Sequence, residues 1–137
     1  MTYLLDTNAC IALVGGRPPE VRVRLDRALA KGQEISVPAI AAFELWYGVG
    51  KSARPEPNAG RLQLFLERNV GLMSFDHEDA RIAGGIRAEL ESSGKSIGAY
   101  DYLIAGMAVR HRLILVTANV REFARVRGLS WEDWSRR

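Results

Sequence analysis

Four polar residues stand where an α/β chain gathers its chemistry: Asp6, Glu44, Asp101 and Asn119. In "TYLLDTNACIALV", Tyr3-Leu4-Leu5 reads as a short strand buried on both faces, and Ala9 to Val14 as the start of an apolar helix. Asp6 therefore closes a strand, on the edge where open α/β sheets place their ligand sites. Glu44 lies in "AIAAFELWYGVG", a helix with almost no polar side, and shares a face with Ile40, Phe43 and Tyr47. A helix apolar all round is normally buried, and a buried carboxylate must neutralise, find an arginine or recruit a cation. Asp101 opens a helix, where an acid complements the dipole, yet Ile104, Ala105 and Ala108 turn its face toward the core. Asn119 follows the strand "LILVT", and Asn119 with Glu122 forms a capping-box-like pair. A cap and a site can coexist there.

If the four converge, the three carboxylates raise one another's pKa values unless a divalent cation neutralises them. Oxygen ligands suit magnesium, with manganese as the alternative ion. Two histidines and one cysteine leave no zinc cluster and no basis for a His-based triad or a cysteine protease, since His77 sits amid acids and His111 between arginines.

The elements that must position these residues alternate strand with helix. A second helix enters at Pro18-Pro19 and stops at Gly32, "EISVP" is a strand leading into the Glu44 helix, and "KSARPEPNAG" (51–60) reads as a loop. A helix through Leu62 and Phe65 follows, then the strand "GLMSF" and the long helix "DHEDARIAGGIRAELESSG". Next come the loop "KSIGA", a helix from Tyr100 to about His111, the strand "LILVT", a short helix around "VREFARV", and a last strand near "LSW". This alternation implies a parallel sheet with helices on both faces.

A chain of 137 residues with 47% hydrophobic content has the size and core of one domain. No apolar run reaches the ~18 residues of a membrane span, no secretory leader is legible, and the lone Cys10 reads as a small buried hydrophobe, so a cytoplasmic location is expected. All but three of its 19 cationic residues are arginine, whose planar fork suits phosphate. Arg110 and Arg112, with Arg121 and Arg125, are therefore candidate contacts to a phosphodiester backbone.

The motifs "LLDTN", "FELWYGV", "IGAYDYLIAG" and "LVTANVREFARVRGL", followed by Trp134, occur in the order and spacing of the PIN-domain ribonucleases. The chain most resembles the VapC toxins of bacterial type II toxin-antitoxin modules, from Leu4 to Trp134. The resemblance implies one PIN domain over residues 1–137, with a three-layer α/β/α fold around a central, mainly parallel sheet. It implies a magnesium- or manganese-dependent endoribonuclease that leaves 5'-phosphate and 3'-hydroxyl ends. It also implies a homodimer neutralised by a cognate VapB-type antitoxin. Asp6, Glu44 and Asp101 match the acids that hold the family's catalytic metal, and Asn119 falls at the fourth position, where many relatives carry Asp. Thr117, Thr7 and Asn8 match the small polar residues beside those acids. Ala118 replaces a commonly polar residue, and Gly106 a commoner alanine.

Two other readings remain on sequence grounds. One is a catalytically weak module that binds RNA or a partner, with Asn119 marking a degenerate site. The other is a phosphoryl-transfer enzyme using Asp6 as nucleophile, weakened because the residue two further on is Asn8 and not an acid. Trp46 and Tyr47, next to Glu44, are expected to leave an aromatic patch for an antitoxin or second protomer if Glu44 reaches solvent.

Overall fold

The computed structural model describes residues 2–136. Five short strands, β1 (Thr2–Leu5), β2 (Glu34–Pro38), β3 (Gly71–Met73), β4 (Ile114–Val116) and β5 (Ser130–Glu132), form one sheet in the order β3-β2-β1-β4-β5. Every pairing is parallel. Leu4, Leu5 and all three residues of β4 are buried, as strands covered on both faces must be.

The strand order reverses at β1. The chain runs outward through β2 and β3 on one side, then returns to lay β4 and β5 on the other. Such a switch point opens a crevice at the carboxyl ends of the two central strands, because the loops leaving them diverge. Asp6 extends the β1–β4 ladder by one bond, its N–H donating to the Val116 carbonyl at 3.1 Å. The first predicted site residue is thus fixed to the mouth of the crevice by the sheet itself.

Among the described residues seven helices connect the strands: α1 (Thr7–Gly15), α2 (Pro19–Ala30), α3 (Ala39–Gly50), α4 (Pro55–Glu67), α5 (His77–Ser92), α6 (Ala99–His111) and α7 (Val120–Phe123). α1 packs on α2, α3 and α4, whereas α5 packs on α6 more extensively than any other pair of elements. The element order is the one the sequence implies, with two corrections. Residues 55–60 are helix and not loop, because Pro55 occupies the first turn, where its missing N–H costs nothing, and Arg54 ends the true loop. The second concerns α3, which is not buried all round. Only Ala41 and Leu45 are buried, while Phe43, Trp46 and Tyr47 reach solvent.

The α5–α6 contact is set by Gly106. A Cβ built there would lie 2.7 Å from the Ala83 Cβ and 2.9 Å from both the Cα and the N of Ala83, so α5 backbone occupies the space a side chain would need. α6 is anchored by fully buried Ile104, Ala105 and Met107 and cannot shift without breaking the core. Gly106→Ala should gain up to ~1 kcal/mol of helix propensity yet lose more to this overlap, for a net destabilisation of about 1–3 kcal/mol in urea unfolding. A variant as stable as the parent would show that the helices separate at no cost.

Candidate functional site

Asp6 is 3% exposed. It is held as the N-cap of α1, its Oδ1 accepting from the Ala9 N–H at 2.8 Å, and its backbone is extended as a cap requires. The Thr117 hydroxyl, at the end of β4, hydrogen-bonds the same carboxyl. Burial nevertheless raises the Asp6 pKa to about 6, with Glu44 and Asp133 adding repulsion against the lowering by Thr117 and Ala9.

Glu44 reaches the crevice from α3 half-buried, and the Thr7 hydroxyl donates to its Oε1 at 2.6 Å. Asp101 enters from the first turn of α6. Gly98 makes room for it, since a Cβ at Gly98 would stand 2.9 Å from Asp101 Oδ2. The Asp101 pKa is pushed up to about 7, first by burial, then by a hydrogen bond to the Glu122 carboxyl, then by the charges of Glu122, Asp6 and Glu44.

Asn119 does not cap α7 with its side chain. Its Nδ2 donates to Glu122 Oε2, and its own N–H donates to Thr117 Oγ1 at 2.9 Å, so the expected capping box is absent. α7 is a single turn, which leaves Glu122 free to fold back toward Asp101. A cleft of about 660 Å³ collects Asp6, Thr7, Asn8, Glu44, Asp101 and Asn119. These predicted residues are therefore brought together, with Thr117 buried behind Asp6.

The predicted arginines are not in the cleft. Arg110 pairs with Asp76 and Asp79 at the far end of α6, where it faces the fully buried Asp79 carboxylate. Arg112 follows at the C-cap, just ahead of β4, hence at the amino edge of the sheet. Any contact these two make with an RNA backbone would therefore lie away from the acids. Arg121 is exposed on α7, and Arg125 donates to the Ser96 carbonyl. The cation that does line the cleft is Lys51, which sequence reasoning missed because it follows a helix end with no motif around it. Glu122 and Asp133 were missed as well. Glu122 was masked by its capping pattern, whereas Asp133 follows β5 as Asp6 follows β1, a position that could have signalled it.

The donor set fits a hard divalent cation. Asp6, Asp101 and Glu44 offer only oxygen, and no cationic side chain offsets the charge of Asp6 or Asp101 among the described residues. Among those residues no three His, Cys, Asp or Glu side chains converge closely on a single point.

A family model described as "PIN domain" matches residues 3–129. The chain is 40% identical over 135 residues to the tRNA(fMet)-specific endonuclease VapC of Shigella flexneri, covering 98% of this chain and 99% of that protein. It is 38% identical over 136 residues to Ribonuclease VapC2 of Rickettsia felis, covering 99% of this chain and 100% of that one. Its fold superposes on VapBC2 from Rickettsia felis bound to a promoter DNA fragment with a TM-score of 0.91, at 36% identity and 98% and 99% coverage. DNA-bound VapBC from Salmonella typhimurium gives a TM-score of 0.89, with 36% identity and 98% of both chains covered.

The raised pKa values set a pH dependence of stability. A proton binds Asp6 more tightly in the folded chain, so this group favours folding at low pH, and the advantage is lost as pH rises through about 6, with Asp101 extending the window to about 7. Without divalent ions, Asp6→Asn should keep the α1 cap, remove about 3 kcal/mol of charge burial and raise the Tm at pH 8 by about 5 °C or more. The gain should shrink as pH falls through about 6 and vanish only below about pH 4, where Asp6 is protonated in the unfolded chain as well. A thermal melt series in EDTA checks this, and a destabilised Asp6→Asn at pH 8 would contradict it.

Proposed function

The chain belongs to the PIN-domain family and, within it, to the VapC ribonucleases, and we propose that it is a divalent-metal-dependent endoribonuclease acting as the toxin of a toxin-antitoxin pair. The observation that carries the metal dependence is the buried, uncompensated Asp6 carboxylate facing Asp101 and Glu44 across one cleft.

Asp6, Asp101 and Glu44 would hold the ion, magnesium or manganese by their oxygen chemistry. When bound, it supplies Lewis acidity: it lowers the pKa of a water and neutralises charge developing on the phosphoryl oxygens. The chain's own residues preorganise that site. Thr7 fixes the Glu44 carboxylate, Thr117 and Ala9 fix Asp6, and Gly98 leaves space for Asp101. Asp101, its pKa raised to about 7, would give up its proton to an arriving cation. Asn119, in place of an acid, ties Glu122 back and removes one negative charge, which favours fewer strongly held ions. Thr7 and Asn8 line the floor, while Arg121 and Arg125 sit on and beside α7, placed for backbone contacts outside the cleft.

The relative named as tRNA(fMet)-specific makes that tRNA the first substrate to try. The VapBC complexes among similar structures support a VapB-type antitoxin as partner, and a homodimer is what the resemblance to the VapC toxins implies. No helix among the described residues is long and apolar enough to cross a membrane.

Purified protein free of antitoxin should cut tRNA(fMet) in magnesium or manganese, leave 5'-phosphate and 3'-hydroxyl ends, and do nothing in EDTA or as Asp101→Asn. Ends carrying 2',3'-cyclic phosphate would mean that the ribose hydroxyl attacks, and would overturn a water-based mechanism. RNA binding without any cutting would instead favour the non-catalytic module.

A further inference from the structure

One wall of the cleft is not acidic at all. Phe43 and Tyr47, one turn apart on α3, and Tyr100 at the start of α6 all line it, and they are 55%, 62% and 45% exposed. Phe43 and Tyr100 meet edge to face, with ring centroids 5.6 Å apart, so a ring from each helix holds the other in orientation. Lys51 lies over the Tyr47 ring, its Nζ 4.9 Å from the centroid. Single exposed aromatic residues are ordinary. Three contiguous rings in the same cleft as Asp6 and Asp101 are not.

Resting on the reading of the chain as a ribonuclease, we propose that Phe43, Tyr47 and Tyr100 form a stacking subsite for an unpaired nucleobase of the RNA, with Lys51 set to meet the adjoining phosphate. The pattern of the wall matches the pattern of a nucleotide. Flat apolar faces suit a base, and one mobile ammonium suits a phosphodiester oxygen. The acids beyond them would repel that phosphate unless a cation were bound, so the rings give the RNA a foothold that does not depend on the ion. A purely apolar face would fit a protein partner better. Here the rings share about 660 Å³ with charged and amide groups, which suits a ligand that is apolar on its faces and anionic along its edge.

The subsite also selects the form of the RNA. In an A-form duplex the bases are stacked on each other, and the narrow major groove admits no side-chain ring, so only a loop, bulge or single strand can present a base to these rings. The subsite therefore assigns a preference for unpaired RNA to residues that do not hold the metal.

The test measures fluorescence anisotropy of a fluorescein-labelled 12-nucleotide single-stranded RNA in EDTA, beside the same strand annealed to its complement and versions lacking one base at each position in turn. The parent protein should prefer the single strand, and at least one abasic position should weaken its binding by about 5- to 150-fold. Tyr47→Ala and Phe43→Ala should lose a comparable factor on the intact strand and suffer little further loss on the abasic one, whereas Tyr47→Phe should bind like the parent. Unchanged affinity in both alanine variants would overturn the subsite, as would an abasic penalty as large in Tyr47→Ala as in the parent. A loss of affinity that tracks a change in oligomeric state by light scattering would overturn it too, because the rings would then be covering another copy of the chain. Failure of the parent to cut RNA in magnesium bears on the nuclease reading alone and leaves the binding result intact.

Discussion

The molecule is organised around a carboxylate that it buries with no cationic side chain beside it among the described residues. Asp6 sits where β1 ends at the switch point of a parallel sheet, tied to β4 through its own N–H and to α1 through its side chain. Neither tie can be given up without loosening the sheet centre or the first helix. The charge is therefore held in a low-dielectric place by bonds that have nothing to do with charge. Burial outweighs the hydrogen bonds of Thr117 and Ala9, which is why its pKa lies above and not below the usual carboxylate range. Glu44, Asp101 and Glu122 add to the strain, and the fold carries it in two interlocking halves. The α1–α4 group supplies Glu44, and the α5–α6 pair supplies Asp101. The second half is made rigid by the absence of a side chain at Gly106, so the spacing between the acids is set by backbone packing.

Much of this was legible in the sequence, for identifiable reasons. A strand three or four residues long ending in Asp is a local pattern, and parallel sheets make its position topological, so Asp6 and Asn119 could be assigned to one edge before any coordinates. Glu44 was found by a contradiction, a carboxylate inside an apolar helix. The reason given for it was only half right. α3 is not submerged: Phe43, Trp46 and Tyr47 reach solvent, and two of these rings line the cleft.

The rest was hidden by competition between equally valid local rules. Glu122 satisfied a capping pattern that α7, one turn long, does not use. Pro55 and Pro57 look like a loop until the first turn of a helix is considered. The arginine clusters were read from charge alone, and charge does not say at which end of a helix a residue lies. Arg110 comes nine positions after Asp101 on α6, at about 1.5 Å per residue, which puts it more than 10 Å from the acids and beside Asp76 and Asp79. Lys51, one cation without a motif, lines the cleft itself.

The most direct test of a buried acidic cluster built for a cation is to titrate the purified protein with manganese near pH 7 and follow the free ion by electron paramagnetic resonance, with proton release recorded in parallel. Saturable binding at a fixed stoichiometry is predicted, accompanied by proton release as Asp101 ionises, and abolished in both Asp6→Asn and Asp101→Asn. Binding that survives both substitutions, or no binding to the folded parent protein, would contradict the metal-site reading and leave Asp6 as a helix cap with an unexplained charge.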